Sequence, residues 1–219
     1  MTIPQVLKER IEAARESLHP EPHYLEPKYR FAIYPEFGPR LEKGFFTPEP
    51  ADTRGLRRRT HLGILVTRKV LPAWEKVRPM DDTPYRILDV IEGVMKGAVS
   101  EETASNFYQQ SEERVEMLNS EYLERGGEYE KALCAGGTAL HALMIAFTDI
   151  SFDWEQTNYE DLEDKDLDPW TQDTSYYAWT AYGSCEPSQC MIENLEFWQW
   201  WLDEAVPAAY NSVPEPVER

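Results

Sequence analysis

Along most of this chain, apolar side chains recur at steps of three and four residues, the spacing that lines one face of a helix. Leu62, Leu65, Val66, Val70, Ala73, Trp74 and Val77 form one such stripe. Ile87, Leu88, Ile91, Val94, Met95 and Ala98 form a second, and Leu195, Trp198, Leu202, Val206 and Ala209 close the chain with another. No stretch sustains the two-residue alternation of a strand between hairpin turns, so no sheet is expected. The punctuation agrees. Thr2 and Gln5 have capping-box spacing before Ile3, Val6, Leu7 and Ile11. Thr83-Pro84 and Asp168-Pro169 offer a cap followed by proline, Ser100 precedes Glu101 and Glu102, and Gly126-Gly127 ends what Ser100 begins. The expectation is an all-α fold in one domain of about seven helices.

Three places resist that pattern. Residues 20–53 interleave seven prolines with Tyr24, Tyr29, Phe31, Tyr34, Phe37, Phe45 and Phe46. The prolines forbid a continuous helix and the rings demand burial, which predicts an irregular segment packed on the body, with a short helix near Lys28 to Tyr34. Pro72 interrupts the stripe on Leu62 to Val77 and predicts a kink near Arg68 to Leu71. Gly136-Gly137 thins the apolar helix from Tyr129 to Ile150, at a cost of about 2 kcal/mol against two alanines. The close approach of a neighbouring helix would offset that cost.

With 219 residues the chain is long enough for one well-packed core. Its net charge is −18, and it is unevenly spread: residues 1–80 carry 15 basic and 10 acidic side chains, residues 81–219 carry 7 and 30. Such a chain is a poor ligand for nucleic acid or an anionic membrane. An odd set of cysteines, Cys134, Cys185 and Cys190, gives no disulfide framework and fits a reducing compartment. No run approaches the roughly 18 uncharged apolar residues of a spanning helix, and the amino terminus has no basic-then-apolar leader. A cytoplasmic location is expected.

The residues that could carry chemistry do not assemble into a known pattern. Glu16 and His19 make the one Glu-x-x-His pair, beside the helix-ending Pro20. His61 and His141 stand alone on apolar helices and read as satisfied core histidines. Cys185 and Cys190 lack the partners of a zinc site. Asp164, Asp166 and Asp168 imitate a calcium loop, but Pro169 and Ser175 occupy the positions of its glycine and its bidentate glutamate. There is no nucleophile elbow or phosphate-cradling loop. No enzyme activity, metal or cofactor is expected. Arg54, Arg57, Arg58 and Arg59 open a helix and are expected to pair with internal acids.

The strongest positive feature is the run from Asp149 to Asp173, which holds ten carboxylates against Lys165. Such a run is ordinarily a solvated loop. Here it carries Phe152, Trp154, Tyr159 and Trp170, and aromatic anchors in an acidic field are what an interface to a basic partner needs. Trp154, Tyr159, Asp161, Glu163, Asp164, Asp166 and Asp168 are the candidate partner-binding residues. The Phe197-Trp198-Gln199-Trp200-Trp201 run surrounds its helix, so at least one ring is expected to meet solvent or a partner.

Several short pieces occur in a telling order: Tyr29-Arg30, Phe37-Gly38-Pro39, Arg58 to Gly63, Val70-Leu71-Pro72-Ala73-Trp74-Glu75, Ala135-Gly136-Gly137, Trp170 to Asp173 with Tyr177-Ala178, and Phe197 to Leu202. The set resembles the fifth numbered immunity family of bacterial polymorphic toxin systems, over about residues 25–209. The resemblance implies a non-enzymatic antidote that binds a cognate secreted toxin domain. It also implies that Arg58, Trp74, Trp170, Asp173, Trp198 and Trp201 organise the core, leaving partner choice to the variable acidic segment. Two other readings remain open on the residues alone: an acidic regulatory or nucleic-acid-mimic module, and a metal-dependent helical hydrolase built on His61, His141 and nearby carboxylates.

Overall fold

The stripe that opened the sequence reading becomes α3, Arg54–Val77, whose Leu62, Val66, Val70 and Trp74 are buried. Before it come α1 (Gln5–Ser17), α2 (Pro27–Ile33) and a 3-10 turn, Tyr34–Phe37. After it come α4 (Thr83–Met95), α5 (Glu101–Arg125), α6 (Glu128–Thr148), α7 (Thr174–Tyr182), α8 (Pro187–Trp200), a π-helical turn at Trp201–Ala205, and α9 (Val206–Asn211). This computed structural model describes residues 3–18, 23–39, 53–149, 173–183 and 187–213. The fold is all-α, with no strand among the described residues.

The innermost element is α6, with α3, α5, α7 and α4 packed around it. Its sequence explains the position: Ala132, Ala135, Gly136, Ala139, Ala142 and Ala146 are all buried, and small side chains let four helices approach one axis closely. A Cβ placed on Gly136 would lie 2.8 Å from Trp74 Cζ3 and 2.9 Å from Val115 Cγ2, so α3 and α5 fill the space that this glycine leaves. A similar closeness holds at Gly63, where an added Cβ would come 3.0 Å from the Ala142 Cβ. Being apolar on all sides, α6 is also long and apolar enough to cross a membrane, with a mean hydropathy of 1.3 over its best window, which the expectation of no such run had missed. Its neighbours bury it as a core helix instead.

On the other side of α3 lie the 3-10 turn, α9 and the π turn, with α1 resting on α2 and on the π turn. Pro72, where a kink is expected, does not end the helix: α3 runs through it, and since Pro72 is exposed the carbonyl it leaves without a helical donor can be solvated. The second helical proline is handled differently. Just before Pro207 the helix widens, and the Val206 N–H donates to Trp201 O, five residues back. This turn re-aims the aromatic run, so Phe197, Trp198, Trp201, Leu202, Ala205 and Val206 are all buried and Trp200 is left at the edge under Lys69, 4.8 Å from its ring.

Four helix boundaries differ from the sequence reading. Pro4, not Thr2, precedes α1, and Thr2 lies outside the described residues. Asp82 precedes α4, with Thr83 as its first residue, held by a 2.9 Å bond from its N–H to Asp81 Oδ1. The same helix stops at Met95 rather than Val99, because Gly97 turns left-handed at φ +68° and Val99 folds back over Gly93. Finally, α7 opens at Thr174 behind Asp173, whose backbone is extended (ψ 159°), and the Asp168-Pro169 start lies outside the described residues.

Candidate functional site: the roots of the acidic segment

Two arginines enter the core, and each meets an aspartate at one end of the acidic segment. Arg59, on the buried face of α3, donates from Nε to Asp149 Oδ1 at 2.8 Å and from Nη2 to Asp149 Oδ2 at 2.7 Å. Both side chains are fully buried. The fork also donates to Gly38 O at 3.0 Å and Pro39 O at 3.1 Å, so one guanidinium ties together α3, the end of α6 and the chain after the 3-10 turn. A Cβ on Gly55 would fall 2.3 Å from Pro39 O; only glycine lets that chain come so near. Asp149 itself is left-handed, φ +50°, as the residue that ends α6, a conformation that aspartate tolerates better than most.

The other root is Asp173. Arg30 of α2 donates from Nε to Asp173 Oδ2 at 2.7 Å, again between fully buried side chains. Asp173 Oδ1 accepts from Ser175 N at 2.8 Å and Tyr176 N at 3.2 Å, which makes this aspartate the N-cap of α7. Tyr34 OH donates to the same oxygen at 3.2 Å. Burial, and then the charge of Asp173, pushes the Tyr34 phenol well above its ordinary value, so it remains a neutral donor. The Arg30 guanidinium lies 5.7 Å from the Trp198 ring and 6.0 Å from that of Tyr176, within reach of a cation–π attraction.

The acidic run is therefore buried at both ends: Asp149 and Asp173 are 0% and 1% exposed. Trp154, Tyr159, Asp161, Glu163, Asp164, Asp166 and Asp168, between them, lie outside the described residues, as does Trp170. Of the remaining motif residues, Trp74, Trp198 and Trp201 are fully buried. Arg58 is buried too, 3.7 Å from the Tyr210 ring, with Nη1 donating to Phe37 O at 3.1 Å and Nη2 to Val213 O at 2.8 Å. Arg59 thus pairs with an internal acid as expected of the arginine cluster, Arg58 turns inward to carbonyls and a ring, and Arg57 is exposed. The sequence reading passed over Arg30 and Arg59 as site residues. The available signal was a lone arginine amid rings and prolines, and a fourth arginine on an otherwise apolar helical face.

The two core histidines differ. His141 lies against Tyr177, ring centroids 4.6 Å apart, and burial pushes its imidazole down to about 4 although Asp173 acts in the opposite sense. His61 is not a core residue. It lies half-buried in a groove between α3 and α4, and burial followed by the charge of Arg68 lowers it. No three His, Cys, Asp or Glu side chains among the described residues gather as metal ligands would. The Cys134 thiol is pushed up to about 12 by burial and then by Glu130, which makes it a packing group rather than a nucleophile.

The arrangement is one of anchoring, with two buried arginines holding the two ends of a carboxylate-rich segment. No curated protein matches the chain in sequence. The family model described as Immunity protein Imm5 does match, over residues 11–208, which takes in both arginines, both aspartates and everything between them. The chain belongs to the Imm5 immunity protein family.

Proposed function

We propose that this protein neutralises a cognate secreted toxin domain by covering it with the acidic, aromatic-rich surface of Trp154, Tyr159, Asp161, Glu163, Asp164, Asp166 and Asp168, acting in the cytoplasm of the cell that makes it. The family supplies the general role, that of an immunity protein. The observation that supports the address is the rooting of this segment: residues 150–172 hold eight carboxylates against one lysine, and the aspartates on either side are buried and paired with Arg59 and Arg30. A segment held at both ends has less conformational freedom to lose on binding than a free tail of the same composition. Its charge would draw in a basic toxin face, and its rings would fill pockets there.

Co-expression with the toxin domain encoded beside its gene tests the role, since cells should survive only when this protein is present. The quadruple variant Asp161→Asn, Glu163→Gln, Asp164→Asn and Asp166→Asn tests the address. In low salt its association rate with the toxin domain should fall by about tenfold or more. An unchanged rate in stopped flow would remove the acidic surface from the interface.

A further inference from the structure

A groove of about 360 Å³ runs between α3 and α4. Arg57, His61, Ile64 and Arg68 line its α3 side at steps of four, three and four residues, one straight stripe about 16 Å long. Met95 and Lys96 face them from α4. Two of the groove's three fixed cations share one carboxylate, Glu92, which lies 3.4 Å from Arg68 Nη2 and 3.0 Å from Lys96 Nζ, and the third, Arg57, meets no carboxylate among the described residues. In a chain with 40 acidic and 22 basic side chains such a surplus runs against the average, and elsewhere Arg10, Lys76 and Arg78 each have a glutamate of their own.

The groove also begins near the root of the acidic segment. Arg57 and Arg59 stand two residues apart at the start of α3; Arg59 turns inward to Asp149, where the segment begins, and Arg57 faces the groove. The groove and the root of the acidic segment thus share one end of one helix.

We propose that the α3–α4 groove is a second contact surface for the toxin domain and takes a carboxylate-bearing segment with an adjoining apolar side chain; this rests on the toxin-binding role proposed above. Arg57 and Lys96 meet the carboxylate, and Ile64 and Met95 floor the space for the apolar neighbour. The exposed pairs of Glu92 with Arg68 and Lys96 are weak in water, so a partner's carboxylate replaces or joins Glu92 at small cost. Patches of opposite sign side by side fix the orientation of the docked partner, which one acidic face alone does not.

The test compares binding of the whole toxin domain to the full chain, to Arg57→Glu/Lys96→Glu, and to a control of equal charge change, Arg86→Glu/Arg114→Glu, in the separate cavity between α4 and α5. All four positions are exposed, and circular dichroism checks that both variants fold. The groove variant should bind about tenfold or more weakly and the control less than about threefold. Should the reversals unfold the chain, Arg57→Gln/Lys96→Gln carries the same test with an expected loss of about threefold or more. The NMR signals of the His61 ring add a readout local to the groove: they shift when the full chain binds the toxin domain. Wild-type affinity in the groove variant, equal losses in groove and control, or an unmoved His61 would each overturn the groove while leaving toxin binding intact. If the unaltered chain does not bind the toxin domain, the role falls and the groove falls with it.

Discussion

Arg59 and Asp149 illustrate what a buried charge does in this protein. The pair adds little net stability over a well-packed apolar pair, since removing both charges from water costs nearly what their attraction returns. Breaking it is another matter. Arg59→Ala takes the buried guanidinium away from Asp149 and from the carbonyls of Tyr34, Gly38 and Pro39, and should cost about 3–5 kcal/mol in urea unfolding. The double variant Arg59→Met/Asp149→Leu should recover a substantial part of that loss; equal losses in both would show that the charges contribute more than specificity. His141 makes a separate prediction. Its folded pKa, about 4, lies below the ordinary 6.5 of the unfolded chain, so between those values the unfolded state binds the extra proton. Its contribution is therefore complete above pH 6.5 and is lost as the pH falls toward 4, with a slope of up to about 1.4 kcal/mol per pH unit. His141→Phe keeps a ring against Tyr177 and should flatten that slope between pH 7 and 5.

Among the elements, α6 concentrates the consequences of small side chains. Its adjacent glycines look alike in sequence, but Gly136 faces Trp74 and Val115 at less than van der Waals distance, and a Cβ on Gly137 would sit 3.4 Å from Tyr177 Cδ1, an ordinary contact. Gly136→Ala should therefore lose about 1–3 kcal/mol to overpacking, against a gain of about 1 kcal/mol in helix propensity. Gly137→Ala keeps the propensity gain and should be neutral or up to about 1 kcal/mol more stable; thermal unfolding of the two variants separates the readings. The sequence showed that a neighbour had to come close to this helix. It could not show which glycine it touched, since a rotation of about 100° between successive residues decides that and nothing local records it. The two helical prolines behave the same way: Pro72 on an exposed face leaves α3 whole, and Pro207 beside a buried one is met by a π turn.

For the whole molecule, charge is the organising quantity. The sequence divides into a first part at +5 and a remainder at −23, yet the surface does not follow that division. Arg30, Arg58 and Arg59, from the basic part, are buried, two of them against aspartates of the acidic part. Of the cations that the first part leaves outside, Arg57 and Arg68 fall on one stripe. Association with a basic toxin face should therefore slow as salt is raised, and the slope of log rate against log salt should be shallower in the quadruple amide variant, whose remaining charges steer less.

Local physics was enough for some of this. The apolar periodicity, caps and prolines determined that the chain is all-α and roughly where its helices lie, because a 3.6-residue repeat is a property of neighbours in sequence. Composition determined that the chain is acidic, and an ordered set of short motifs pointed to its family. Tertiary structure decided the rest. Asp149 and Asp173 cannot be told from the carboxylates between them by sequence, and they differ only because Arg59 and Arg30, 90 and 143 residues away, reach them in the core. Likewise His61 and His141 sit on similar apolar stripes, and packing alone sends one to a groove and sets the other against Tyr177. A long-range ion pair depends on where two helices cross, and that crossing is set by the summed packing of α3, α6 and α7 rather than by any local run of residues.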